Sequence, residues 1–594
     1  MTAQQIITEH LDIWTAAHKT RSIAGRGSNN KLNLHGIKKL RELILELAVR
    51  GKLVPQDAND EPAIELLIKI SAEKNQLIKD GKIKKAKADI DTSESDKPFD
   101  IPNNWQWSKL SDISIINPRN TAEDELDASF VPMTLIDSRF DGGHEQELRQ
   151  WKEIKQGFTH FAEGDIGVAK ITPCFENSKA CVFKNLANNI GAGTTELHIV
   201  RPINNTLNPR YVLACLKSPS FLLVGETKMT GTAGQKRLPK DFLEAYPFAL
   251  PPLAEQHRIV AKVDKLMAFC DQLEQTQSDN IAAHAQLAEA LLATLTNSSD
   301  HNKLQHNRQR IAEHFDTLFT TEHSIDQLKQ TILQLAVMGK LVPQNPNDEP
   351  ASELLKKIAA EKTLLIKEGK IKKGKPLPEI TEEEKPFELP RGWEFVRMGL
   401  FSILKGGFAY QSSKFSDSGE YQVIRMGNIR PDYLRINEKA VFIKSEYASA
   451  TTDYKLEADD ILLTMTGTKN KRDYLYSVVI NAEHLNDRQL YINQRLCAVK
   501  APRVNIKFLS LCLKNDTLLD AIFAKSTGTA NQANIGMEAI ACWVVPLAPL
   551  EEQHRIVAKV DELMALCDTL KTNIQNAQTT QLALADVLVE KAVE

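Results

Sequence analysis

Apolar residues recur at three- and four-residue steps along two separate stretches of the chain. Ile259, Val263, Leu266, Cys270 and Leu273 mark the first; Ile556, Val560, Leu563, Cys567 and Leu570 mark the second. This heptad-like spacing predicts two amphipathic helices. Pro252 and Pro549 precede them, at the helix start where proline is tolerated. The first helix is expected to reach about Leu295, with TQSDN at 276–280 as its weakest stretch. At ~1.5 Å per residue it would span roughly 65 Å. A helix so long, with one apolar face, needs a partner. The other stretch is the natural one, because the two are near copies. EQHRIVAKVDKLMAFCD at 255–271 and EQHRIVAKVDELMALCD at 552–568 differ only at Lys265/Glu562 and Phe269/Leu566. Equivalent stripes can meet across a pseudo-twofold axis.

Shorter stripes repeat as well. Leu40, Leu43 and Leu47 in one copy, and Leu328, Ile332 and Leu335 in the other, predict a helix stopped by Gly51 or Gly339. LRELILELAVRGKLVPQ (40–56) and LKQTILQLAVMGKLVPQ (328–344) are the segments that carry them. Asp60-Glu61-Pro62 and Asp348-Glu349-Pro350 then open a further helix in each copy. Basic runs at 81–89 and 369–377 follow and read as solvated linkers rather than phosphate grips. A third echo, IITEHLDIWT (6–15) against RIAEHFDTLFT (310–320), precedes each helical block. The repeat therefore wraps around, as expected of a closed two-fold arrangement with neighbouring termini. Copies this far apart are domain-sized units.

Between the repeated frames lie two inserts, 99–246 and 387–543, that share almost no side chains. Both alternate β-rich stretches with polar loops. GDIGVAKITPCFENSKACVF (164–183) reads as strand, turn at Thr172-Pro173, strand, and DDILLTMTGTKNKRD (459–473) as a strand followed by a loop. GTAGQKRLP (231–239) and STGTANQAN (526–534) stand near the insert ends. Amide and hydroxyl side chains on such loops can read base edges, and Lys and Arg can grip phosphates. The same residues also form ordinary turns.

Composition changes this picture little. The 594 residues are 42% hydrophobic and 25% charged, with a net charge of −3, so any basic surface has to be local. The N-terminus lacks a basic-then-apolar signal pattern, and no apolar run is long enough to cross a membrane. Eight scattered cysteines without a CxxC pair point to a reduced, cytoplasmic setting without a zinc or disulfide framework.

Catalytic motifs fail one by one. There is no GxxxxGK[ST] phosphate loop. Asn117-Pro118-Arg119 falls short of the Asn-Pro-Pro-aromatic motif of amino-methyltransferases. Pro431-Asp432 with Glu438-Lys439 lacks the spacing of a nuclease metal site, and Gly25-Arg26-Gly27 has no strand-turn-helix context. His257 and His554, at the start of long helices, read as capping or packing residues.

The pattern resembles the specificity subunits of type I restriction-modification systems, over essentially the whole chain. The paired blocks at Pro252–Met267 and Pro549–Met564 carry the resemblance, with LAVxGKLVPQ at 47–56 and 335–344 matching the longer-chain branch. In the second insert, 405–415 looks like the family's glycine-aromatic-Ser-Ser-x-Phe segment, and Asp460–Thr464 with Thr466–Thr468 like its D-I-L strand and G-T loop. The first insert departs from that pattern. Its Lys170–Cys174 with Glu176-Asn177 is similar to another subtype, so the two halves are expected to read unlike sequences.

The resemblance implies an α+β fold. Two globular mixed α/β target-recognition domains, 99–250 and 387–546, would be separated by long helices forming an antiparallel coiled coil. The rest divides into an N-terminal helical region (1–98), a central region with the spacer helix (251–386) and a C-terminal spacer helix (547–594). Each domain would read one half of a split, asymmetric site in double-stranded DNA, and the helices would act as a ruler. Half-sites on one face of DNA lie about a helical turn apart, roughly 34–36 Å, which a rigid spacer of this length can fix. The partners implied are two modification subunits, which carry S-adenosylmethionine and methylate adenine, and two restriction subunits using ATP and Mg. No cofactor, metal or catalytic residue is expected in this chain. DNA contact is expected from Lys170, Thr172, Asn177, Lys179, Gln235, Lys236 and Arg237 in the first domain. In the second it is expected from Tyr410, Ser412, Lys414, Thr466, Thr468, Lys469, Asn470, Arg472, Asn531 and Gln532. The rival readings are a coiled-coil adapter whose inserts bind protein, and a fused restriction enzyme with an unrecognised catalytic site.

Overall fold

The computed structural model describes residues 3–21, 31–83, 97–140, 143–203, 205–232, 234–431, 433–528 and 532–593. The chain forms two compact units. Unit 1 comprises residues 1–282 and 576–594; unit 2 comprises 283–575. The boundary falls inside both long helices, Leu253–Thr296 and Leu550–Val593, each 44 residues long and each running from one unit into the other. The first ends where the apolar period predicts and continues unbroken through 276–280.

Within unit 1 the insert builds three sheets. Strands Ser114–Ile116, Leu197–Pro202, Ile166–Ala169 and Ala180–Val182 lie side by side in that order, all antiparallel. A second sheet orders Glu147–Gln150, Asp127–Val131, Ile190–Gly193 and Thr159–Ala162, with a parallel pair at its centre. Gln106–Lys109 pairs with Pro247–Leu250, which brings the two ends of the insert together just before the long helix.

Unit 2 repeats this plan with other residues. Ile403–Gly406, Leu496–Lys500, Ile461–Thr464 and Ser477–Val479 form the antiparallel sheet. Phe442–Ile443, Tyr421–Ile424 and Gln489–Ile492 form the second, again with one parallel pair. Glu394–Arg397 and Val544–Leu547 close the insert. In each unit, three short helices precede the long one: Pro209–Leu216, Pro219–Lys228 and Lys240–Ala245 in unit 1, Ile506–Lys514, Asp516–Phe523 and Met537–Cys542 in unit 2. Alternating burial on a sheet is satisfied by many sequences, so one topology can carry two unrelated sets of side chains.

The framework helix His35–Val49 fixes the direction of the long helices in unit 1. Arg41 Nη2 reaches Asp271 at 2.5 Å and Glu274 at 2.8 Å, whereas Gln56, further along the chain, reaches Glu255. The framework helix therefore runs against the first long helix. It runs with the second, since His35 meets Asp586 and Arg50 meets Val593. The two long helices are antiparallel in this unit. Unit 2 gives the same result through Glu322–Val337. Gln575, Lys571 and Asp568 of the second helix meet Glu322, Asp326 and Lys329 in reverse order, and Lys340 meets Thr296. Ile259, Val263 and Cys270 are buried on the predicted stripe, as are Ile556, Val560 and Cys567, but the two stripes lie in separate cores and do not meet as expected. The first shares its core with Leu582, Ala585 and Ala592, the second with Leu292, Leu295 and Leu304, because antiparallel helices bring the start of one to the end of the other. Burial pushes the Cys270 thiol up to about 12, so it acts as a small apolar core residue. Ile6, Ile7, Leu582, Ala585 and Ala592 share one core, which places the N-terminal helix and the end of the second long helix together in unit 1.

Candidate functional site

The repeated Glu-Gln-His-Arg at each long-helix start is a hook for the insert. Glu255 is fully buried. Its Oε2 accepts from Trp105 Nε1 at 2.9 Å and its Oε1 from Gln56 Nε2 at 2.7 Å. Glu552 takes the same bonds from Trp393 at 3.0 Å and Gln344 at 2.7 Å. Burial raises both carboxyls above the ordinary glutamate value, against those hydrogen bonds. Gln256 Oε1 accepts from the Asn208 amide, and Gln553 Oε1 from that of Asn505, each at 2.8 Å. Asn208 caps the helix that follows it and pairs with His257 Nδ1 at 3.0 Å; Asn505 does the same with His554 at 2.9 Å. Arg258 and Arg555 pair with Asp60 and Asp348, both at 2.6 Å. The two histidines thus position the inserts on the spacer helices.

The loops that follow strands Ile166–Ala169 and Ile461–Thr464 pair with a later loop of their insert, in one arrangement in both. Arg237 bridges to Ile171 on one side and Thr230 on the other. Asn534 pairs with Thr466 on one side and Thr527 on the other. The next register position agrees too: the Leu238 amide donates to Lys170 O, and that of Ile535 to Met465 O. Lys170 therefore corresponds to Met465, Ile171 to Thr466, and Arg237 to Asn534. In this register the sequence TGTAGQ at 230–235 lines up with TGTANQ at 527–532. This shared motif is invisible when the inserts are compared end to end. Gly231 and Gly528 have positive φ, and a Cβ at Gly528 would come within 2.0 Å of Gln532 O, so backbone shape demands glycine there.

Several sequence-predicted residues support the loops from within. Thr172 is buried and accepts from the Lys236 amide at 3.1 Å. Thr466 is buried and donates to Asn534 Oδ1 at 2.8 Å. Tyr410 is buried and donates to Thr451 Oγ1, and burial pushes its hydroxyl up to about 12. Lys179 donates to Met133 O at 2.9 Å. Others are engaged by acids. Arg237 pairs with Glu196 at 2.8 Å, Arg472 pairs with Asp516 and Asp520, and Thr468 donates to Asp473. Asn177, Gln235, Lys236, Ser412, Lys414, Lys469 and Asn470 are exposed, and Lys170 and Gln532 are half-buried. Lys414 lies 4.7 Å over the Tyr447 ring, beside a core of its own with Tyr410, so 410–414 and 466–472 form separate groups. Asn531 lies outside the described residues, as do Gly25–Gly27, 84–89 and Asp432.

Paired charges hold the strands that carry these loops. Asp165 is buried and takes Arg201 on both oxygens, at 2.8 and 2.7 Å, with a third bond from the Ala162 amide. Asp460 is the counterpart, with the Glu457 amide and Lys500 at 3.7 Å. Both follow an acidic or glycine-rich turn into a strand, a signal present in the sequence at 164–166 and 459–461 but not assigned a role there. Among the described residues, no group of three or more His, Cys, Asp or Glu could hold a metal ion, and no helix is long and apolar enough to cross a membrane.

The family model for the type I restriction modification DNA specificity domain matches residues 102–283 and 390–578, one match per insert with its spacer-helix start. The chain belongs to the type I restriction-modification specificity subunits. The EcoAI specificity subunit of Escherichia coli is 50% identical over the full length of both chains. The EcoEI specificity subunit of Escherichia coli is 49% identical, again over the whole of both. A solved chain from a study of type I R-M complex assembly and conformational transition covers 84% of this specificity subunit and 99% of itself, at 17% identity and a TM-score of 0.46. The α+β architecture, two inserts on a repeated helical frame, agrees with one family match falling on each insert.

Proposed function

We propose that this chain selects the DNA sequence for a type I restriction-modification assembly, with each insert reading one half of a split, asymmetric duplex site. One observation carries the reading: two domains of like topology, hooked in the same way onto a repeated frame, display different side chains on matching loops. Specific recognition needs variable contacts on a fixed scaffold, with phosphate contacts for position and base contacts for choice. The near-neutral net charge fits a chain whose phosphate grip is shared with partners. Exposed Asn177, Lys236, Lys469 and Asn470 are the first choices for contact in the groove, with Ser412 and Lys414 as a second contact group. Gln235 and Gln532, retained in both domains, face what both half-sites share, the sugar-phosphate backbone. Two modification and two restriction subunits complete the assembly in the cytoplasm. S-adenosylmethionine, ATP and Mg act in those subunits, and this chain supplies choice and assembly without catalysis.

The test is long-read methylation mapping in a methylation-deficient cell that expresses this chain with its modification subunit. A bipartite motif carrying N6-methyladenine in both halves, lost when this chain is omitted, supports the reading; no motif despite a folded complex points to an adapter. Alanine at Lys469, Asn470 and Lys471 together should cut methylation about 10- to 100-fold or relax one half-site. The other half-site and subunit assembly should be untouched.

A further inference from the structure

Each LAVxGKLVPQ segment continues into a strap that touches both long helices at once. In unit 1, Arg50 Nη1 and Lys52 Nζ donate to the Val593 carbonyl, at the end of the second long helix, at 3.3 and 3.0 Å. A few residues on, Gln56 donates to Glu255 in the first turn of the first helix, at 2.7 Å. In unit 2 the helices exchange roles. Lys340 Nζ donates to Thr296 O and Ser298 O, at 2.7 and 3.0 Å, at the end of the first helix, while Gln344 donates to Glu552, at 2.7 Å, at the start of the second.

These partners meet known needs of helix ends. The last carbonyls of a helix lack internal partners, and an ammonium there also complements the macrodipole. The straps are themselves tightly placed. Gly51 and Gly339 have φ +70° and +68°, and a Cβ on either would come within 2.5 Å of Pro102 or Pro390. Each strap also holds the arginine of the adjoining hook, through Asp60 or Asp348.

An apolar seam is degenerate, since sliding by one heptad restores contacts of the same kind, and polar contacts are what select one register. We infer that the two straps are register clips. In each unit the interval from lysine to glutamine ties the carboxyl end of one long helix to the amino end of the other and so fixes their axial offset. The amino end of each long helix also carries the hooks for the insert. Resting on the function proposed above, the clips therefore set the number of unread base pairs between the half-sites.

Two measurements test this separately from the function itself. Spin labels carried by non-canonical amino acids at exposed Asn297 and Ala558, both in unit 2, report the offset there. A single narrow distance is expected in the otherwise unaltered chain and in K340R, and a broadened or displaced one in K340A/Q344A. An unchanged distance overturns the clip. Should the double variant lose its cooperative melt, K340A alone, which removes only the carbonyl cap, carries the same expectation and the same refutation. In methylation maps, K52A/K340A should modify the same two half-sites at more than one spacer length. A single unaltered spacer at full yield overturns the link to spacing. Absence of any motif with the unaltered chain overturns the recognition reading, while the distance measurement still decides the clip.

Discussion

At the scale of single residues, a buried ion pair braces the loop-bearing strands of unit 1. Asp165 is almost wholly buried and its carboxyl is raised by that burial, with Arg201 working against the rise. A carboxyl raised by folding takes up a proton in the folded chain before the unfolded one. Stability therefore falls as pH climbs from the ordinary aspartate range through the raised value. Removing Arg201 raises the carboxyl further and widens that window. Arg201→Met should cost about 3 kcal/mol near neutral pH, because it leaves a buried charge unpaired. The deficit should be smaller in a melt at about pH 5 than in one at about pH 7, because acidification protonates more of the raised carboxyl. Urea melts at both pH values check this, and a pH-independent deficit would refute it. The residue scale is also where the sequence was hardest to read. Thr172, Tyr410 and Thr466 are the right chemical types for DNA contact, yet each is turned inward onto a partner from a distant segment. Nothing in a linear sequence distinguishes a threonine that supports a loop from one displayed by it.

At the scale of elements, the strong periodic signals led directly to structure. The stripes from Ile259 and Ile556 gave helices whose buried faces are the predicted ones, and Gly51 and Gly339 stand where the framework helices stop. Short strands with weak alternation left only parts of the sheets legible, because their pairing is set by partners far along the chain. The hook also belongs to this scale. Trp105 gives its indole N–H to a carboxylate with no access to water, so Trp105→Phe removes one bond and strands part of a buried acceptor. A loss of about 1–3 kcal/mol is expected. It should appear as a lower melting temperature with the far-ultraviolet circular dichroism retained. Trp393→Phe should behave alike in unit 2, since Glu552 has the same partners.

At the scale of the whole molecule, the chain is one plan executed twice. The hooks travel with each insert: Trp105 and Asn208 with the first, Trp393 and Asn505 with the second. Replacing residues 392–547 by 104–250 should therefore give a folded chain, because every partner of the transplanted hooks recurs in the host frame. On the proposed function its methylated site should become two copies of the first half-site in inverted orientation. A mapped motif retaining the original second half would show that the inserts do not carry the choice.

The sequence by itself determined the two long helices, the doubled frame and the family, because heptad spacing and near-identical blocks are local signals that survive without coordinates. Tertiary structure alone decided that Glu-Gln-His-Arg is a hook rather than a reactive cluster, and that Arg237 and Asn534 occupy one register position, opposite Ile171 and Thr466. It also decided which loop residues face outward. Those properties depend on contacts between segments tens to hundreds of residues apart, where burial and hydrogen bonding assign a role that residue type leaves open.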